Sequence, residues 1–121
     1  MGATWESMET IAKEADYLFL MLGFPDDVEK TVLGNPDKEG DKGILHYMKP
    51  GAYLIDHTTS SPELARRIAK QAGAKGIFSL DAPVSGGDVG AVAGNLVVMI
   101  GGESKAIEHC VPIMECYSAK C

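Results

Sequence analysis

Three short apolar runs, each followed by turn residues and then by a helical pattern, limit the architectures open to this chain. The first, Tyr17-Leu18-Phe19-Leu20-Met21-Leu22, is continuous rather than alternating, which predicts a strand covered by helices on both faces. Residues 52–56 and 77–80 repeat the pattern, and 96–100, closed by Gly101-Gly102, supplies a fourth strand. Between the runs the period changes to that of a helix. Ser7 can cap a helix reaching about Glu14, with Met8, Ile11, Ala12 and Ala15 on one face. Asp26 and Asp27 open a short helix carrying Val28, Val32 and Leu33, and Ile44, Leu45 and Met48 mark another before Pro50-Gly51. Ser61-Pro62-Glu63 opens the clearest helix, with the stripe Leu64, Ala65, Ile68, Ala69 and Ala72 and an end near Gly73. Alternation of strand and helix predicts an α/β layered fold with parallel neighbours. The stretch from Asp81 to Asn95 looks too short for a full helical crossover. The last strand is therefore expected to be antiparallel or at an edge, making the sheet mainly parallel but mixed. Pro112 predicts a break or kink near Cys110 and Val111.

Composition narrows the function classes. With 121 residues, 45% of them hydrophobic, the chain has enough apolar content for one packed domain and is not a disordered segment. Its net charge is −6, and Arg66-Arg67 is the one cationic cluster, so nucleic acid and anionic membrane surfaces are not expected partners. No apolar stretch approaches the roughly 20 residues that span a bilayer. Residues 1–6 show no basic segment leading into an apolar one, so no secretory signal is read there. Cys110, Cys116 and Cys121 fit neither a disulfide framework nor a zinc site. They are read as reduced thiols of a cytosol-like compartment, with a redox role for Cys116 or Cys121 as the lesser reading.

In an open α/β sheet, ligands gather beyond the carboxyl ends of the strands. Three turns lie there: Leu22-Gly23-Phe24-Pro25, His57-Thr58-Thr59-Ser60-Ser61, and Pro83-Val84-Ser85-Gly86-Gly87. Four consecutive hydroxyls are more than a helix cap needs, leaving ligand contact and simple capping evenly matched. His57 is read first as a packed histidine and second as a general base, while His46 and His109 show no partner in the sequence and are read as structural. The run from Asp81 to Gly94 holds four glycines, and its backbone amides could hold a carboxylate or phosphate. A glycine-rich connection needing positive φ explains the composition equally well. The spacing is neither a dinucleotide fingerprint nor a P-loop.

Asp81-Ala82-Pro83-Val84-Ser85-Gly86-Gly87, followed by Gly90-Ala91, Gly94-Asn95-Leu96 and Met99-Ile100-Gly101-Gly102, closely resembles the substrate-binding signature of the β-hydroxyacid dehydrogenases. These include 3-hydroxyisobutyrate dehydrogenase, tartronate semialdehyde reductase and, more distantly, 6-phosphogluconate dehydrogenase. Ala15-Asp16, Met21-Leu22, Pro50-Gly51, Asp56, Thr58-Thr59 and Pro62 continue the likeness upstream, in order. The resemblance implies a partial Rossmann-like fold and hydride transfer between NAD or NADP and a small 3-hydroxy acid or its semialdehyde. It implies that Ser85, Gly86 and Gly87 bind the substrate carboxylate, that Leu22 and Gly23 line the nicotinamide side, and that Thr59 touches the nicotinamide ribose. Gly23 stands where many members have proline, so its contact carries over through the backbone; Asp27 lies near a further family contact but differs in side chain and is not carried over.

The resemblance also implies that residues 1–121 are the second half of an NAD(P)-binding domain. Its first βαβ unit and the C-terminal helical domain would lie outside them, and the catalytic lysine would come beyond Cys121. Lys105 and Lys120 do not match that lysine's context and are read as surface residues. The isolated chain is expected to be inactive, and no residue of it is assigned a catalytic role or a metal. The alternative is a non-catalytic binding or oligomerisation module derived from the same fold. A small carboxylate substrate, a homo-oligomer and a cytoplasmic location are expected, with a mitochondrial location as the alternative.

Overall fold

The computed structural model describes residues 2–121. Helix α1 (Met8–Glu14) begins at Ser7, whose Oγ accepts a hydrogen bond from the Thr10 amide at 3.2 Å. Strand β1 (Tyr17–Leu20) follows, then α2 (Pro25–Leu33), the short α3 (Ile44–Tyr47) and β2 (Tyr53–Asp56). Helix α4 (Pro62–Ala74) starts as its sequence predicts, with Ser61 Oγ accepting from the Leu64 amide at 3.1 Å and proline in the first turn. After β3 (Phe78–Asp81) come β4 (Val84–Ser85), α5 (Gly87–Ala93), β5 (Leu96–Val98), α6 (Ser104–Met114) and β6 (Ser118–Lys120).

Strands β1, β2 and β3 form a parallel sheet in that order, with Leu20, Asp56 and Asp81 level at one edge. Helices α1 to α4 cover one face. Their Ala12, Val28, Val32, Ile44, Leu45, Leu64, Ile68 and Ala72 pack against Leu18, Leu20 and Leu54. Helix α6 covers part of the opposite face, where Ala106, Cys110 and Met114 meet Ile55 and Leu80. Leu54, Ile55 and Leu80 are each at most 1% exposed, and burials of this kind stabilise the fold by roughly 1.5–3 kcal/mol apiece.

The mixed pairing expected of one sheet is found in a second, separate sheet: β4 pairs antiparallel with β5, and β5, its middle strand and not an edge, pairs parallel with β6. One antiparallel bridge, Asp81 to Gly101, joins the two sheets, with backbone hydrogen bonds of 2.9 and 2.7 Å.

Several expectations are corrected. The second face of strand β1 is only partly covered, because α6 packs mainly over β3. Tyr17 and Phe19 consequently remain 36% and 39% exposed. The face of α1 that carries Met8 and Ile11 is also open, and only Ala12 of that helix is buried. The stretch from Asp81 to Asn95 makes no parallel crossover from β3, as expected, but it holds two elements that the sequence did not indicate, β4 and the seven-residue α5. Pro112 does not break α6, which runs on to Met114. The burial of Cys110 and Met114 on either side of it holds the helix together despite the missing amide donor. His109 has a partner after all: its Nε2 lies 2.6 Å from the Tyr17 hydroxyl, and its ring stacks on Tyr17 and Tyr53. Among the described residues, no helix is long and apolar enough to cross a membrane.

Candidate functional site

Because β1, β2 and β3 run parallel and in register, the turns that follow them open along the same edge of the sheet. After β1 the chain passes through half-buried Leu22 and exposed Gly23 before α2 begins. Asp27 Oδ2 accepts from the Phe24 amide at 3.0 Å and fastens this turn. A Cβ on Gly23 would make an ordinary contact with that carboxylate at 3.4 Å, so the position demands glycine neither for space nor for φ.

The four hydroxyls after β2 divide into different duties. Ser61 caps α4, and Thr58, only 2% exposed, accepts from the Leu22 amide through Oγ1 at 2.9 Å. Thr59 is exposed, and Ser60 Oγ is buried without a hydrogen-bond partner. The Thr58 side chain therefore ties the turn that carries Thr59 to the Leu22-Gly23 turn.

His57 is packed, in line with the first reading of it, and both ring nitrogens are engaged. The Ala82 carbonyl oxygen can only accept, so Nδ1 carries the proton of their 2.6 Å bond. Nε2 is then free to accept from the Tyr117 hydroxyl at 2.8 Å. Burial, reinforced by the nearby Cys121, Cys110 and Cys116, pushes the Tyr117 phenol up to about 12, so it keeps its proton at physiological pH. Its geometry leaves His57 no free nitrogen with which to act on a substrate.

Beyond β3, Ser85 ends β4 opposite Val97, and Gly86 and Gly87 follow with φ of 130° and 59°. All three are exposed. Among the described residues, the Gly86 and Gly87 amides donate to no protein group; the turn is closed by the Gly90 amide donating to the Gly86 carbonyl at 2.9 Å. A Cβ on Gly86 would press on the Leu96 side chain, at 3.1 Å from Cδ2, and the φ of 130° is one that residues with a side chain rarely adopt, so the turn favours glycine here. Ser85, Gly86 and Gly87 sit on the second sheet, one step removed from the other two turns.

Behind this edge lies a cavity of about 230 Å³ between α4 and the sheet, with Leu20, Leu54, Ala65 and Ala69 in its wall. Asp56 and Asp81 also line it. Burial, and then the neighbouring Asp56, holds the Asp81 carboxyl above its ordinary value.

Residues that sequence reasoning missed are Thr58 as a tie to β1 and Tyr117 as a partner of His57. The surplus of hydroxyls hinted at the first. Nothing local signals the second, since Tyr117 is 60 positions from His57.

Residues 2–121 match the family model described as the NAD binding domain of 6-phosphogluconate dehydrogenase. The chain belongs to this family. Among its relatives, an uncharacterized oxidoreductase of Bacillus subtilis, YkwC, is 50% identical over 113 residues, which is 93% of this chain and 37% of that protein. A solved structure of Psf3 in complex with NADP+ and 2-OPP superposes with a TM-score of 0.87 at 28% identity, covering 98% of this chain and 40% of that one. The Mycobacterium tuberculosis 3-hydroxyisobutyrate dehydrogenase, solved with L-serine, gives a TM-score of 0.81 at 31% identity, covering 96% and 37%. This NAD-binding domain thus spans between about a third and two-fifths of the relatives it matches. Its architecture is the Rossmann-like α/β fold of 3-hydroxyisobutyrate dehydrogenase structures.

Proposed function

We propose that the chain forms the nicotinamide-facing and substrate-facing half of an NAD(P)-binding domain in an oxidoreductase acting on a small 3-hydroxy acid or its semialdehyde. One observation carries this reading: three in-register strands end in turns whose free groups suit that task, an exposed Thr59 hydroxyl beside Leu22-Gly23, and unbonded Gly86 and Gly87 amides beside Ser85. The residues fit a dinucleotide's nicotinamide end, since Ser60 Oγ is a buried polar atom that has no protein partner of its own. Leu22 and Gly23 would line the nicotinamide, and Thr59 would contact its ribose. Ser85, Gly86 and Gly87 would hold the substrate carboxylate through one hydroxyl and two amides. A bound NAD or NADP would supply or accept the hydride.

With His57 engaged on both nitrogens, proton transfer is assigned, by the resemblance, to a lysine outside residues 1–121. The chain alone is therefore proposed to be inactive. The complete reading frame containing it is expected to oxidise NADH or NADPH with small semialdehydes, and the 121-residue chain alone is not. Turnover by the chain alone, or none by the complete frame with any small semialdehyde or 3-hydroxy acid, overturns the proposal.

The open edge of β1, with Tyr17 and Phe19 beside it, favours a second reading as a binding or self-associating module. A homo-oligomer belongs to either reading.

A further inference from the structure

We propose that His57 and Thr58, which touch neither cofactor nor substrate in the reading above, form a buried crossbar that fixes the spacing of the three ligand-facing turns. This rests on that reading of the turns. Strand β2 lies between β1 and β3, so a dipeptide at its end can reach both neighbours. The backbone ladder stops there, with the His57 amide donating to the Leu20 carbonyl and the Ala82 amide to the Asp56 carbonyl, each at 2.8 Å. Beyond that point the two side chains continue the cross-linking. Thr58 Oγ1 accepts from the Leu22 amide, 36 positions away, while the Thr58 amide donates to Asp56 Oδ1 at 2.9 Å. His57 Nδ1–H donates to Ala82, 25 positions away, and Nε2 accepts from Tyr117 in the turn between α6 and β6.

Both side chains are buried, at 8% and 2% exposure; the bonds to Ala82 and within the Thr58 turn are buried, and those to Leu22 and Tyr117 are partly so. Such bonds are strong and directional where water does not compete. Each arm leads to a different ligand contact. The Thr58 arm ends on Leu22, next to Gly23. The His57 arm ends on Ala82, three residues before Ser85. His57 and Thr58 are accordingly positioning residues with separable effects, since displacing reacting groups by about 1 Å is enough to cost roughly a hundredfold in rate.

The complete reading frame containing this chain provides the test. Thr58→Val keeps the shape and removes the acceptor; it is expected to raise KM for NAD(P)H about tenfold while changing KM for the carboxylate substrate little, and Thr58→Ser is expected to restore it. His57→Phe is expected to raise the substrate KM instead, and His57→Asn, whose side-chain amide can still donate to Ala82, to recover part of it. A merely structural role would lower melting temperature and active fraction without splitting the two KM values. Equal changes in both, or failure of Thr58→Ser to rescue, overturn the crossbar while leaving the proposed function intact. Absence of NAD(P)H binding by the unmutated protein overturns the proposed function and the crossbar with it. If Thr58→Val does not fold, Thr58→Ala carries the same comparison against Thr58→Ser.

Discussion

A methyl group at position 43 would have nowhere to go. Gly43 is buried with φ of 72°, and an added Cβ would run into the backbone of Val32 and Gly34, where the long loop returns to α2. Gly43→Ala should therefore destabilise by about 1–3 kcal/mol or more, seen as a lower urea midpoint. The cysteines sort by exposure: Cys110 is 1% exposed and burial pushes its thiol up, whereas Cys116 and Cys121 are open. A thiol reagent at mildly alkaline pH is expected to label the latter two in the native chain and Cys110 only after denaturation. Asp81 gives a pH signature. Its folded value lies above the ordinary 3.8, so folding favours the protonated form, and that stability is present at low pH and lost as pH rises through the raised value. Asp81→Asn should raise Tm near neutral pH, with the gain shrinking in acid, and a gain independent of pH would refute the cause. At this scale the sequence identified Thr59, Ser85, Gly86 and Gly87 as residues that could meet a ligand, and the structure leaves them exposed. It could not disclose what His57 does, because its partners arrive from 25 and 60 positions away.

Elements with strong local patterns were legible. Helix α4 begins at its cap and proline as expected, and β1, β2 and β3 fall within one or two residues of their apolar runs. Helix α5 was not legible, because Gly87 and Gly90 within it and Gly94 after it weaken every propensity signal. Strands β4 and β6, two and three residues long, are too short to show a period. The proline in α6 was overrated, since packing outweighed its intrinsic penalty. Pro112→Ala should consequently stabilise the chain, by up to about 3 kcal/mol, measured as a higher Tm. No gain would mean that the proline ring itself supplies packing.

For the molecule as a whole, the alternating pattern was enough to read an α/β layer, and the 81–102 run enough to read the family. What the pattern could not show is how unequally the sheet is covered. Tyr17, Phe19, Met21 and Phe24 are all at least a third exposed along β1 and the turn after it. The 12.8 kDa chain is expected to self-associate in sedimentation experiments, and Phe19→Lys, which charges that face, to return it to a monomer. The division into two sheets has a further consequence for native-state hydrogen exchange. Within β5, Val98 is the buried residue, whereas Leu54, Ile55 and Leu80 are all but sealed. The second sheet is therefore expected to open as a separate unit of lower free energy, since what ties it to the first is the Asp81–Gly101 bridge, the His57–Tyr117 hydrogen bond and their shared core contacts. Its amides would exchange well before those of β2, so the turn that carries Ser85, Gly86 and Gly87 can reshape around an anion while the central sheet stays closed.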